Sequence, residues 1–124
     1  MGKACPDAVL DTFLDKIATG TIMTACSAEP STRAEAVTTY ALADITITAG
    51  DGNGDWVIAD DTSGRKLTLA EQADVDIDAS DDATHIAICD GSDLLYVTTC
   101  TTQGLVSGGT VTFPAWKINI PDPT

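Results

Sequence analysis

Between residues 21 and 120, threonine and aliphatic residues alternate in short runs that glycine, aspartate, asparagine and serine interrupt. Alternation with a period of two places successive side chains on opposite faces of a β-strand. About eight short strands at this spacing predict a mainly β fold, an antiparallel sandwich or barrel, rather than alternating strands and helices. Segment 33–42 is undecided and has room for one helical turn. We predict strands over 21–27, 45–48, 56–59, 65–69, 73–79, 84–89, 94–101, 110–113 and 116–120.

The first twenty residues follow a helical period instead. Five apolar residues form one stripe: Val9, Leu10, Phe13, Leu14 and Ile17. Pro6 suits the first turn of a helix, and Gly20 suits its end. We expect an amphipathic N-terminal helix over 1–20 that covers the β-domain over 21–120; docking of a partner on this stripe is the alternative.

The length of 124 residues fits a single domain, 1–124, with one aliphatic core. The last four residues, 121–124, include Pro121 and Pro123, which cannot donate to a β-ladder. They predict an extended tail, which either frays or lies along a neighbouring subunit.

The chain contains nineteen acidic and six basic residues and has a net charge of −13. This charge limits the kinds of molecule that the chain can bind. Nucleic-acid phosphates would be repelled, whereas a basic protein surface would be attracted. No stretch approaches the roughly 20 apolar residues of a membrane span. The start of the chain lacks the apolar region of a signal peptide, so we expect a product made in the cytosol.

The cysteines do not have the spacing of a zinc site, which pairs ligands two to four residues apart. There are four of them: Cys5, Cys26, Cys89 and Cys100. A turn at 90–93 would pair Cys89 with Leu94 and Cys100 with Ala83, which places the two sulfurs roughly 20 Å apart. We therefore expect free thiols that pack as small apolar side chains.

The candidate metal ligands are Asp51, Asn53 and Asp55, whose spacing matches the start of an EF-hand calcium loop. The rest of that motif is missing. Trp56 occupies the position of the required glycine, and Thr62 that of the bidentate glutamate. A hairpin loop rich in glycine and aspartate is favoured over a calcium site.

Asp74, Asp76 and Asp78 alternate with Val75 and Ile77. On a strand, all three carboxylates point to one face and both aliphatic side chains to the other. Such a cluster either binds a hard cation or forms the solvated face of an edge strand that discourages aggregation. The second interpretation is favoured, and the same face suits a basic patch on a partner subunit.

Catalytic chemistry finds little support in the chain. His85 is the single histidine, and no serine stands in a Gly-x-Ser-x-Gly setting. Two Trp and two Tyr are few for a sugar-binding cleft with paired carboxylates. We predict that the chain is not an enzyme and uses no cofactor.

Several segments, taken in order, resemble small structural proteins of tailed bacteriophages and prophages. They cover nearly the whole chain: Cys26-Ser27-Ala28-Glu29-Pro30, Ala34-Glu35-Ala36, Tyr40-Ala41-Leu42-Ala43, Ser63-Gly64-Arg65-Lys66, Ala83-Thr84-His85-Ile86-Ala87, Leu94-Leu95-Tyr96-Val97-Thr98-Thr99-Cys100 and Pro114-Ala115-Trp116-Lys117-Ile118. The resemblance supplies no catalytic residues.

This resemblance implies a virion component, made in the bacterial cytoplasm and located on the capsid surface. A head-decoration or cement protein, bound to the major capsid protein and to copies of itself, is favoured. A tail, neck or fibre component with a receptor- or carbohydrate-binding role is the alternative, and a small hydrolase is a further one. Neither nucleic acid nor membrane is an expected partner.

The predicted contact residues combine exposed apolar, aromatic and acidic side chains with the tail. They are Val9, Phe13, Trp56, Asp74, Asp76, Asp78, Pro121 and Pro123. Trp116 is a second candidate for an exposed tryptophan, although core packing is favoured for it.

Overall fold

The computed structural model describes residues 7–52, 54–62 and 64–120. These residues contain one α-helix, a short π-helical turn and nine strands. The helix α1 spans Asp7–Ile17 and the π-helical turn Glu35–Thr39. The strands are β1 Ile22–Cys26, β2 Ala41–Thr46, β3 Trp56–Asp60, β4 Arg65–Leu69, β5 Gln72–Asp76, β6 Asp81–Cys89, β7 Leu94–Leu105, β8 Thr110–Phe113 and β9 Trp116–Ile120. The predicted antiparallel, mainly β class with an N-terminal helix is confirmed, and the sheets do not close into a barrel.

The strands form three antiparallel sheets. The first has the order β2-β1-β6-β7, the second β3-β4-β9, and the third contains β5 and β8. A single bridge between Ala43 and Ile77 links the third sheet to β2 of the first. The backbone N–H of Asp78 strengthens this junction by donating to the carbonyl of Leu42 at 2.7 Å.

Several predicted strand bounds and one predicted pairing are wrong. β5 ends at Asp76 rather than at 79, and β6 begins at Asp81 rather than at 84. β2 covers Ala41–Thr46 rather than 45–48, because its pairing with β1 starts opposite Cys26, directly after the π-helical turn. β7 extends to Leu105, and Cys89 lies opposite Leu94 as predicted. Cys100 does not lie opposite Ala83, because a register shift in the β6–β7 pair places Gln103 there.

The core lies between the sheets and beneath the helix, where Leu14, Leu67 and Ile88 are fully buried. Arg65 on β4 holds the helix against the second sheet, because its Nε donates to Asp11 Oδ1 at 2.8 Å. Gly20, which follows the helix, has a packing role in addition to the predicted stop. A Cβ at Gly20 would collide with the Ile88 side chain. Only a residue without a side chain therefore lets the backbone lie this close to the first sheet.

Trp56 is buried, and the prediction that it is exposed is wrong. It is 0% exposed, and its indole Nε1 donates to the carbonyl of Gly20 at 3.3 Å. The alternation of β3 explains the orientation, since Trp56 and Ile58 face the core whereas Val57 faces solvent and is 48% exposed.

Trp116 is half-buried at the start of β9 and packs against the main core. Its ring stacks on Tyr96 of β7, with 6.1 Å between the ring centroids. Its Nε1 is buried and has no hydrogen-bond partner within the described residues. A buried donor without a partner costs free energy on folding, so this indole N–H opposes the stability that the ring provides.

We expect Trp56→Phe to lower the free energy of unfolding by roughly 2–3 kcal/mol, because it leaves a cavity in the core and removes the bond to Gly20. Trp116→Phe should cost less than about 1 kcal/mol, because the lost N–H has no partner and the ring is half-exposed. Urea denaturation with comparison of the midpoints measures both. Equal losses of unfolding free energy in the two variants would contradict the difference in burial between Trp56 and Trp116.

Candidate functional site

The most prominent surface feature is a row of acidic side chains, Asp44, Asp74, Asp76 and Asp78, which we call the acidic ridge. All four residues are exposed. Three of them alternate with Val75 and Ile77, which are buried to 2% and 7% exposure. The predicted division of this segment into a wet face and an apolar face is therefore confirmed. Val75 and Ile77 anchor the backbone that carries these carboxylates in the core.

The strand beneath the ridge is irregular, which the sequence pattern did not indicate. The pairing of β5 with β8 shifts in register between Gln72 and Val75. Within this bulge, Asp74 has a φ of 55°, in the left-handed region that aspartate tolerates better than most residues. β5 ends at Asp76, so Asp78 lies beyond the strand, next to the junction with β2.

Asp44 joins the ridge from a distant part of the chain. The bridge between Ala43 and Ile77 places it beside Asp78. Burial raises the pKa of the Asp44 carboxyl, and a hydrogen bond with the Asp78 carboxyl and its negative charge raise this pKa further. The two acids thus repel one another at neutral pH at the point where the first and third sheets meet.

No basic side chain neutralises the ridge within the described residues. The ion pairs found there join Arg65 to Asp11 and Asp60, and Lys117 to Asp61. In the same part of the chain, no three His, Cys, Asp or Glu side chains are grouped so that they could hold a metal ion. The ridge therefore presents uncompensated negative charge to solvent.

The two described carboxylates of the Asp51–Asp55 loop bind protein donors. Asp51 Oδ1 accepts from the backbone N–H of Ile58 at 2.9 Å. Asp55 Oδ2 accepts from the N–H of Thr48 at 2.6 Å, and its Oδ1 accepts from Gln72 Nε2 at 3.2 Å. Asn53 lies outside the described residues. These bonds give both carboxylates a structural role in fixing the approach to β3.

The other predicted contact residues differ in outcome. Val9 and Phe13 are 57% and 54% exposed on α1, beside the buried residues of the same helix, so part of the predicted stripe faces solvent. Pro121 and Pro123 lie outside the described residues. Trp56 is buried and is removed from the set of surface contacts.

A small second core on the other face of the four-stranded sheet contains two cysteines. Cys26 and Cys89 are fully buried there with Ala36 of the π-helical turn and Ala87. Together with the half-buried Cys100 they are free thiols, as predicted; Cys5 lies outside the described residues. Sequence reasoning missed this core, because segment 33–42 gave no clear pattern.

The environment of these thiols opposes nucleophilic chemistry. Burial raises the pKa of Cys89 to about 11 and also raises the pKa of Cys26 and of Cys100. An activated cysteine needs the opposite shift, since the thiolate is the nucleophile. His85, which lies opposite Cys26 in the sheet, is within 2.9 Å of Thr84 Oγ1 through its Nδ1.

Comparison with known proteins finds no relative. No protein-family model matches the chain, and neither a curated protein nor a solved structure matches it. Within the described residues, no helix is long and apolar enough to cross a membrane. The likeness to phage structural proteins stays a prediction from the sequence.

We expect Asp44→Asn to stabilise the protein at neutral pH. The raised pKa of Asp44 means that the folded state binds this proton more tightly than the unfolded state, so stability falls as pH rises above the ordinary value of 3.8. The substitution should raise the melting temperature at pH 7 and reduce the gain in stability of the natural chain on mild acidification. Thermal melts between about pH 4 and pH 7 measure both effects.

Asp76→Asn is the matched control for this experiment. It removes one charge from the same ridge but leaves the Asp44–Asp78 pair intact. A stabilisation of equal size and equal pH dependence in both variants would show that the general charge of the ridge is responsible, and would contradict a specific pair.

The burial of the thiols gives a second prediction. In a Cys5→Ser background, a thiol reagent should modify Cys100 readily in the folded protein, because this residue is half-exposed, and Cys26 and Cys89 only after denaturation. Counting modified thiols by mass spectrometry over time measures this. Further substitution of Cys100→Ser should remove the early reaction, and early modification of all three thiols would contradict the description of the second core.

Proposed function

We propose that this chain is a structural protein of a bacteriophage virion, a head-decoration or cement protein that binds the outer capsid lattice and stabilises it. The acidic ridge would face a basic surface of the major capsid protein. The bound chain would add contact area between neighbouring lattice subunits. The resemblance of its segments to phage structural proteins supports assembly into a virion. The acidic ridge supports a contact with a basic surface.

The observation that carries the proposal is the exposed and unneutralised ridge of Asp44, Asp74, Asp76 and Asp78. Acidic charge of this density steers the chain toward a basic partner and selects against acidic ones. Val75 and Ile77 anchor the backbone of this segment in the core, so little backbone entropy is lost on contact. Each contact is weak in salt, but copies on a lattice act together.

Val9 and Phe13 on α1 form a second candidate contact. Residues four positions apart lie next to each other on a helix, so these two exposed apolar side chains form one patch. Burial of a phenylalanine and a valine provides affinity that salt does not screen. The ridge would then set orientation, and the helix patch would add strength.

The Asp44–Asp78 pair is the feature that would favour a small hydrolase. Hydrolases that use two carboxyl groups raise the pKa of one of them, and the pKa of Asp44 is raised by burial and by the neighbouring Asp78. Such a pair must also lie where a substrate is enclosed, whereas Asp44 and Asp78 are both exposed. The pair therefore fits a surface contact better than a catalytic centre.

The proposed role predicts where the chain is found and how it binds. Fractionated virions of the phage that encodes the chain should contain it in heads and not in tails. Purified capsids prepared without the chain should bind it in sedimentation assays. A variant with Asp74→Asn, Asp76→Asn and Asp78→Asn should bind roughly tenfold or more weakly, because it removes charge that faces the partner.

A variant with Glu71→Gln, Asp82→Asn and Asp93→Asn is the matched control, since it removes three negative charges from exposed positions outside the ridge. It should bind within about threefold of the natural chain, because exposed charges away from the contact are screened. Equal weakening in both variants would contradict a ridge-specific contact. Chain found in tails and absent from heads would replace the decoration role by the tail alternative.

A further inference from the structure

One long part of this acidic chain carries no charge at all. From Leu94 to Trp116 there is no Asp, Glu, Lys, Arg or His, so every charged side chain lies outside this segment. The segment includes β7, the turn that follows it, and β8. We call the surface that it forms the neutral surface.

The neutral surface is well exposed. Thr99 and Thr101 on β7 and Thr112 on β8 are exposed, and Val106 in the turn between the strands is 70% exposed. Val106 lies between two strands and has no charged neighbour in the sequence.

β7 has a free edge next to this surface. It is the last strand of the order β2-β1-β6-β7 and pairs with β6 alone. An unpaired edge presents a row of backbone N–H and C=O groups, which proteins usually protect with charged residues, proline or bulges. β7 contains no charged residue and no proline, and the register shift near Cys100 interrupts its pairing. From Val97 to Thr99 its register with β6 is regular.

A groove of about 520 Å³ opens between the face of the first sheet and β8. Cys100 and Gln103 of β7 line it together with Ala25 of β1, and Val111 and Phe113 of β8 contribute to the other wall. None of the residues that line it is charged. The second half of β7 therefore borders uncharged, largely apolar side chains on this face.

We infer that a second copy of this chain binds the neutral surface, with β7 of each copy pairing antiparallel to the other about a two-fold axis. Two chains of charge −13 repel one another, and at the uncharged strand β7 they approach with less of that repulsion than elsewhere. A two-fold axis brings the same surface of both copies together, so the uncharged β7 of one copy pairs with β7 of the other. A basic partner would instead be attracted to the acidic ridge.

Acidic residues border this surface on more than one side. On β5, Asp76 of the acidic ridge lies opposite Thr110 of β8, and Ser107 in the turn donates to the carbonyl of Asp78. Asp81 and Asp82 are on β6 and lie opposite Leu105 and Gly104 of β7. β6 lies on the side of β7 away from its free edge. Asp90 and Asp93 lie in the turn before β7. These acids weaken the association through repulsion at a distance, so salt should strengthen it by screening.

The test is sedimentation of the full chain from about 1 µM to about 1 mM, at low salt and in high NaCl. We expect a transition from monomer to dimer whose dissociation constant falls as salt rises. Thr99→Asp should raise that constant by at least about tenfold, because Thr99 is exposed on β7 and pairing of the two strands brings an added negative charge of each copy into the contact. Monomer at every concentration and salt would overturn the inference.

Thr46→Asp is the matched control, since Thr46 is an exposed threonine on β2, at the opposite edge of the same sheet. It adds the same charge and should leave the dissociation constant within about threefold. Equal weakening by the two variants would overturn the assignment to β7.

Hydrogen exchange of the natural chain provides a measurement that needs no variant. Backbone amides of β7 should exchange more slowly at high protein concentration than at low concentration, whereas those of β2 should not change. Unchanged exchange in β7 under conditions where sedimentation shows a dimer would overturn the proposed strand pairing.

Discussion

The fold depends on the close approach of Trp56 and Ile88 to Gly20. The indole of Trp56 donates to the Gly20 carbonyl, and the Ile88 side chain occupies the space that a Cβ at residue 20 would need. Trp56 belongs to the second sheet, Ile88 to the first, and Gly20 follows the helix. All three layers therefore meet at one residue without a side chain, and a larger residue there would force them apart.

The location of the charges follows from this packing. Once the apolar faces of the sheets are buried, the alternation of β5 leaves its aspartates in water, and the bridge at Ala43 brings Asp44 beside them. The long uncharged strand β7 takes the edge of the first sheet. The same fold thus places the acidic ridge on β5 beside β8 of the neutral surface, whereas β7 lies at the edge of the first sheet.

The sequence predicted what depends on local alternation and missed what depends on distant pairing. Strands 65–69, 110–113 and 116–120 have the predicted bounds, and the inward direction of Val75 and Ile77 follows from a period of two. Alternation cannot say which face of β3 is the inner one, so Trp56 was placed wrongly. The register shift in β7 and the meeting of Asp44 with Asp78 require the partner strands, which lie far away in the sequence.

The Asp44–Asp78 pair would link the proposed binding of a basic partner to the stability of the chain. Its repulsion lies at the junction of the first and third sheets, so the natural chain carries a local electrostatic cost at neutral pH that mild acid relieves. A basic partner on the ridge relieves the same cost without protons, because its positive charge favours both carboxylates in their ionised form. A ligand that binds the folded state in this way also stabilises it. The Asp44–Asp78 pair, a local cost in the isolated chain, would become a source of stability once a partner matched its charge.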